Sequence, residues 1–467
     1  MTTAKLKSAW LLFKQAVKGD TDIDYTQGSI GRVTILLAIP MILEMALESV
    51  FAVVDIFFVS GLGTDAVATV GLTEAVITLL YALAIGLSMG ATAMVARRIG
   101  EKDPAAASIA AGQVIWLGVF VSVVVGLIGI FFARDILMLM GADEAVIETG
   151  ENYTRIMFGA CFSIVFLFLI NAIFRGAGDA SIAMRALTLA NGINIVLDPC
   201  LIYGVGPFPE MGVTGAAVAT NIGRTVGVIY GAYYLLSKHG RIQLHLKEMY
   251  LRLDIIWSLV RISVGGIAQF LVATASWVFL MSIVSSFGSQ AVAGYTIAVR
   301  IVMFSILPAW GLSNATATLV GQNLGAGLPD RAERTTWKIA QYNAGYMAIA
   351  AVLMLLFTRP IAAFFSQDPQ VLDYAMQCLV IFAYGYVGWG FGMAVIQAFN
   401  GAGDTMTPTW INVFCFWVVQ VPLAYVLALS LGLGPVGVFW AVFVADNLSC
   451  IVGIVVFRRG RWKTRSV

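Results

Sequence analysis

The sequence predicts an all-α integral membrane protein of twelve transmembrane helices, arranged as two parallel halves of six. Three observations carry that reading: a membrane-level composition, twelve apolar windows, and a second half that repeats the first. The chain has 467 residues, 60% hydrophobic and 12% charged, with a mean hydropathy of +0.88. A soluble chain carries roughly 25% charged residues. Apolar runs of about 18 residues or more, long enough to cross a hydrocarbon core about 30 Å thick, recur along the whole length.

Windows of about 20 apolar residues place the spans near 33–59, 65–95, 104–132, 144–173, 180–204 and 212–237, then 256–286, 290–319, 329–357, 368–398, 406–431 and 435–458. Residues 1–32 precede the first half (33–237), a polar connector (238–255) joins it to the second half (256–458), and a basic tail (459–467) follows. In the N-terminal segment Leu6, Trp10, Phe13 and Val17 form a helical stripe among Lys5, Lys7, Lys14 and Lys18. That pattern suits a short helix lying on an anionic membrane face; a floppy tail is the competing reading.

The repeat appears under a shift of 225 residues. "GAGD" at 176–179 falls on "GAGD" at 401–404, "GLS" at 86–88 on 311–313, Gly100 on Gly325 and Pro104 on Pro329. From 61 to 104 there are 11 identities in 44 ungapped positions. Six spans are an even number, so both copies enter the membrane from the same side and are related by an axis along its normal. Lys and Arg gather in the N-terminal segment, at 96–102, at Arg175 and Arg185, in the connector, at 331–338 and in the tail, whereas the opposite loops lack them except for Arg134 and Arg359. The positive-inside rule therefore predicts a multi-pass protein with cytoplasmic termini.

Composition also excludes functions. A net charge of +2 gives no basic footprint for nucleic acid. The five cysteines are scattered singly, and the two histidines, His239 and His245, both fall in the connector. With no HExxH, no GxSxG and no histidine in any span, neither an enzyme nor a cofactor is expected.

Acids inside the spans are the strongest functional signal. "LEMALESVFAVVDIFF" (43–58) holds Glu44, Glu48 and Asp55. At about 100° per residue, Glu48 lies about 40° and Asp55 about 20° from Glu44, so all three share a face. Each charge at helix centre costs roughly 2.5–3.5 kcal/mol on insertion scales, which requires a protein interior or a wet cavity. Such a group takes up H⁺ or a monovalent cation; for Glu44, four residues past Pro40, a wet helix end is the alternative. In the fifth span Asn194 and Asp198 are stacked at i and i+4, Asn191 lies one turn back, and Pro199 frees a carbonyl near residue 195. These hard oxygen ligands suit Na⁺ or a protonated acid with its water; otherwise Asp198 marks the span's outer end. Thr220 in the sixth span adds an oxygen, and Arg224 stands ready to balance a carboxylate.

Elsewhere, Glu74 and Arg300 occupy nearly corresponding places in the two halves and are candidates for a gate pair at the outer mouth. Asp446 is a candidate anchor for cargo in the second half. Tyr386 and Trp389, interleaved with glycines in the tenth span, suggest a π-rich wall for planar cations, with helix packing as the alternative.

The twelve-span repeat together with "VVDIFFVSGLG", "FRGAGD" (174–179), "NIVLDPCLIYG" (194–204) and "GVTGAAVAT" (212–220) resembles the multidrug and toxic compound extrusion (MATE) family over roughly residues 33–460. The resemblance implies a V-shaped inner-membrane exporter that exchanges H⁺ or Na⁺ for amphipathic, often cationic, compounds by rocking its two lobes. In one branch the ion site lies in the N-lobe and would comprise Asp55, Asn194, Asp198 and Thr220, with Tyr153 and Glu48 lining the lobe's cavity. Two departures matter. Glu48 stands where Gln is common, and the tenth span lacks an acid while the seventh has Gln269 in place of Glu. A C-lobe ion site of the other branch's kind is therefore not expected. Crowded carboxylates favour H⁺ over Na⁺, and a monomer in the bilayer is expected. The alternative is a flippase for a lipid-linked saccharide, whose pyrophosphate would want a basic cavity.

Overall fold

The computed structural model describes residues 3–19, 23–62, 64–237, 240–245, 249–465 and 467. The side chains of 3–6, 52, 53, 55, 56, 60, 64, 65 and 67 lie outside the described part, as does His239; His245 is exposed. The N-lobe comprises α2 (Ile30–Ser60), α3 (Thr64–Gly100), α4 (Pro104–Leu139), α5 (Glu144–Gly159), α6 (Phe162–Ala177), α7 (Ala180–Ile202) and α8 (Val213–Leu236), preceded by α1 (Thr3–Lys18). The C-lobe comprises α9 (Leu253–Ser285), α10 (Ser289–Gly325), α11 (Pro329–Ala363), α12 (Pro369–Gly401), α13 (Met406–Ser430, π-helical over Val413–Gln420 and Val426–Ser430) and α14 (Pro435–Arg458). Eleven passes among the described residues, α5 and α6 counting as one, are long and apolar enough to cross a membrane. The remaining pass, α8, is diluted by Thr220, Asn221, Arg224 and several glycines.

The repeat in the sequence is a repeat in the backbone. Asp143 caps α5 through Val146 N (2.9 Å), and its copy Asp368 caps α12 through Gln370 N (2.8 Å). Phe132 and Phe357, also 225 apart, carry matching non-helical kinks. In both GAGD motifs the second glycine takes φ near +90° or +80°, and the following Asp N–H closes a bond to Phe174 or Phe399 O. Only glycine adopts that left-handed turn without strain. The acid then anchors basic chain: Asp179 binds Arg241 (3.3 Å), and Asp404 binds Arg465 (3.4 Å). The copies differ in one pass: α12 is continuous, whereas its counterpart breaks between α5 and α6 at Ala160 and Cys161.

The lobes meet along α3 and α10, and the repeated glycines make the seam. A Cβ on Gly100 would collide with the backbone of Gln322, and one on Gly325 with the backbone of Arg97. Likewise Gly86 abuts Ile267, and Gly311 abuts Ile42. Each contact maps onto its partner under the 225 shift, as a two-fold interface requires. All four glycines lie in the C-terminal halves of α3 and α10, toward the end of the bundle that bears both termini. The lobes therefore close there and part toward the other end, giving the V. Gly325→Val would drive a side chain into the Arg97 carbonyl, and overpacking of this kind costs about 1–3 kcal/mol. The expected outcome is faster thiol labelling of a cysteine placed at the buried seam position Thr318; labelling at the parent rate would count against the seam.

Neither polar end segment is free in solvent. Ile242 and Leu244 of the connector are buried, and Gln113 of α4 holds the Tyr250 carbonyl and the Arg252 N–H (3.0 and 2.9 Å). In the tail Trp462 is buried against Phe457 (ring centroids 4.6 Å apart), and Lys463 reaches Glu333 (2.6 Å).

Candidate functional site

Two cavities adjoin where the lobes diverge. The first, about 220 Å³, sits between the lobes: Glu48, Ser88, Phe168 and Arg175 come from the N-lobe, Trp310 and Gln397 from the C-lobe. The second, about 390 Å³, lies mainly in the C-lobe and is lined by Gln269, Trp277, Trp310, Trp389, Gln397 and Asp446 among others. Trp310 and Gln397 line both, so they stand at the boundary between the two spaces.

A buried polar triad lies deeper in the N-lobe. Gly223 lets α8 approach α7 until its missing Cβ would touch the Ala190 carbonyl. Asn194 Nδ2 then donates to Asp198 Oδ1 on its own helix (3.3 Å) and to Thr220 Oγ1 on α8 (3.1 Å). Asp198 is fully buried and Asn194 nearly so. With its amide hydrogens committed, Asn194 Oδ1 is buried without a hydrogen bond among the described residues. Asn191 Nδ2 donates to the Leu47 carbonyl (3.4 Å), fixing α7 beside α2 one residue before Glu48. The side chain of Asp55 lies outside the described residues.

Glu44 and Glu48, one helical turn apart, have different surroundings. Glu44 is 2% exposed and bound by Arg175 Nη1 at 2.7 Å, with Asn171 Nδ2 at 3.4 Å. It is an internal ion-pair partner, not a wet helix end. Arg175 belongs to the seam as well: its carbonyl accepts from Thr318 of the C-lobe (3.0 Å), and Gly176 O accepts from Gln322 (2.9 Å). Glu48 instead lines the inter-lobe cavity, and its Oε2 is buried with no hydrogen bond among the described residues.

Arg224 has a clear partner set. It donates to Tyr81 OH (2.9 Å), lies over the rings of Phe51 and Tyr81, and feels the charges of Glu48 and Glu74. Glu74 thus interacts within the N-lobe. Arg300 is exposed. Tyr153 is 3% exposed inside the N-lobe core.

On the C-lobe side, Asp446 forms no hydrogen bond or ion pair among the described residues, and Gln269 Oε1 is buried without a hydrogen bond. Trp389 faces the cavity. Tyr386 does not: it is fully buried and bonds Ser305 Oγ at 2.7 Å. The glycines beside these aromatics serve helix packing, Gly385 and Gly388 against Asn447 and Gly392 against Cys450. Sequence reasoning missed Tyr81, Trp310 and Trp277. The signal for Trp310 was present in "LPAWGLSN", where Pro308 precedes an aromatic and Asn314 follows one turn later.

A family model described as MatE matches the chain twice, over residues 40–200 and 266–426, once in each lobe. The chain belongs to the MatE family. Among its relatives, the probable multidrug resistance protein YoeA of Bacillus subtilis is 28% identical over 443 residues, 94% of this chain and 96% of that protein. The FAD transporter of Shewanella oneidensis is 27% identical over 396 residues, 85% of this chain and 87% of that protein. A solved structure described as MATE in complex with MaL6 superposes with a TM-score of 0.89 at 28% identity, over 94% of this chain and 98% of that one. As a MatE protein the chain is a multi-pass membrane transporter of the multidrug-efflux class, not an enzyme, and the flippase reading is not favoured.

Proposed function

We propose that this MatE protein is a cation-coupled antiporter that exports organic cations by alternating access. It acts as a monomer in the inner membrane with both termini cytoplasmic. The observation that carries the reading is the buried Asn194–Asp198–Thr220 triad, whose amide oxygen has no hydrogen bond among the described residues, in a protein whose cavities hold Glu48 and Asp446, for which no ion pair is seen among the described residues. A carboxylate in low dielectric holds a proton or a cation far more strongly than in water.

H⁺ is the proposed coupling ion. Crowded carboxylates in the first span suit sharing of a proton better than binding of one metal ion. Asp198, Asn194 Oδ1 and Thr220 Oγ1, joined by Asp55, are oxygen donors that also fit Na⁺. Proton or Na⁺ binding favours whichever lobe arrangement binds it better, and only that difference drives transport. No cofactor takes part.

Glu48, Asp446 and the tryptophans suit a planar monocation through charge and π contact, with Gln269 beside them in the second cavity. An anionic dinucleotide such as flavin adenine dinucleotide would meet unpaired carboxylates of its own sign. The test is export of ethidium from proteoliposomes, first under a pH step without Na⁺, then under a Na⁺ step at clamped pH. Dye movement with the pH step alone supports the proposal; movement only with Na⁺ overturns the proton assignment. Asp446→Asn is expected to raise the KM for ethidium about tenfold while leaving that of an uncharged amphipathic dye unchanged, as loss of one charge contact predicts.

A further inference from the structure

From the outer face of the N-lobe, well away from the transport cavities, we infer that the chain carries a binding site for one anionic phospholipid of the surrounding bilayer. An apolar groove of about 690 Å³ runs along the lipid-facing side of α7, walled by Thr188, Leu189, Gly192 and Val196 and by Tyr230 of α8, with Arg185 at its end. Gly192 makes the groove deep: a Cβ there would meet nothing within 4 Å. The groove is acyl-chain material at one end and charged at the other.

The charged end is built, not incidental. Arg185 is held by Ser181 O (Nε, 3.1 Å), by Ser181 Oγ and by the carbonyl of Lys18 (both from Nη2, 3.3 Å), and it lies over the Tyr234 ring at 5.9 Å. These bonds fix the guanidinium at the groove mouth, where it also neighbours the Tyr230 hydroxyl and feels the Asp179 charge. They also pin the end of α1 beside the groove. On α1, Leu12 and Ala16 pack on the protein, whereas Trp10, Leu11 and Phe13 are exposed, with Trp10 and Phe13 stacked at 5.7 Å. Lys7, Lys14 and Lys18 are exposed on the same short helix. A helix with aromatic and basic side chains on its free face lies at the headgroup level. Tyr230 and Tyr234, 4.9 Å apart, stand at that level beside Arg185, where amphipathic rings collect.

An anionic glycerophospholipid satisfies both ends at once. Its phosphodiester meets Arg185, which binds phosphate in a planar fork. Lys14 and Lys18 supply the surface charge that separates an acidic headgroup from a zwitterionic one, and one acyl chain fills the groove over Gly192. This inference is independent of the coupling ion and of the cargo.

The test uses the full-length protein, purified with phosphatidylglycerol and phosphatidylcholine of identical chains, with retained lipid counted by native mass spectrometry. Phosphatidylglycerol is expected to be retained about 30-fold over phosphatidylcholine, as two nearby lysines at about 1 kcal/mol each imply. Lys14→Gln with Lys18→Gln, which keeps the Lys18 carbonyl that Arg185 uses, is expected to abolish that preference. Gly192→Leu, whose Cβ would meet nothing within 4 Å and whose side chain would project into the groove, is expected to lower retention of both lipids while the melting temperature holds. Equal retention by the parent protein, an unchanged preference in the double lysine variant, or full retention by Gly192→Leu would each overturn the site.

Discussion

Asp198→Asn is expected to cut pH-driven ethidium export about 100-fold, near the upper range of coupling between two sites, while the protein still folds. The substitution keeps the shape of the side chain and the acceptor for Asn194 Nδ2, so the 3.3 Å bond survives. What disappears is the ability to gain and lose a proton. Thr220→Ala removes a neutral hydrogen bond worth about 1 kcal/mol, and export is expected to fall only about fivefold. The contrast matters: a purely structural role for the triad predicts the reverse order, because Thr220→Ala removes a contact and Asp198→Asn preserves one. Asp55→Asn combined with Asp198→Asn is expected to be no worse than Asp198→Asn alone if the two acids bind one ion. Export at the parent rate by the double variant would remove the N-lobe site from the mechanism.

The second large effect is on stability. Glu44→Gln strands the Arg175 guanidinium, and Arg175→Gln strands the Glu44 carboxylate; the paired side chains are 13% and 3% exposed. Breaking one half of a buried ion pair costs about 3–5 kcal/mol, because the remaining charge keeps its desolvation penalty. Either single variant is therefore expected to melt well below the parent, and the double variant Glu44→Gln, Arg175→Gln to recover most of the loss. Four of the five cysteines are buried, so the exposure of their thiols to a dye on heating reads the transition directly. Singles that melt with the parent would show that the pair contributes nothing. The singles are also expected to loosen the seam, since the Arg175 carbonyl holds Thr318 of the other lobe.

Much of the molecule was legible because membrane insertion is a one-dimensional constraint. Twelve apolar windows were placed within a few residues of the helices, and the observed helices run longer mainly where polar turns, such as Ala96–Gly100, continue the helix beyond the hydrocarbon. The break between α5 and α6 and the π-helical stretches of α13 carried no such signal: hydropathy does not register how a backbone hydrogen bond shifts by one residue.

The site was legible in part. The i, i+4 spacing of Asn194 and Asp198 dictates their contact wherever α7 goes, because a helix stacks those positions. Glu44 and Glu48 also share a face by periodicity, yet one is neutralised by Arg175 and the other faces the cavity. That division is set by where α6 and α10 pack, which no local spacing encodes. Tyr386 and Trp389 likewise sit three residues apart, but one fills the C-lobe core and the other lines its cavity.

From sequence alone followed the twelve-pass membrane architecture, the duplication and the identity of the acids that lipid cannot tolerate, since each is enforced by the cost of polar groups in hydrocarbon. Only the tertiary structure decided which acids are paired, which face the cavities, and that the repeated glycines form the seam between the lobes. The reason is physical: partner choice depends on distances between helices far apart in the chain, and those are fixed by packing, not by periodicity.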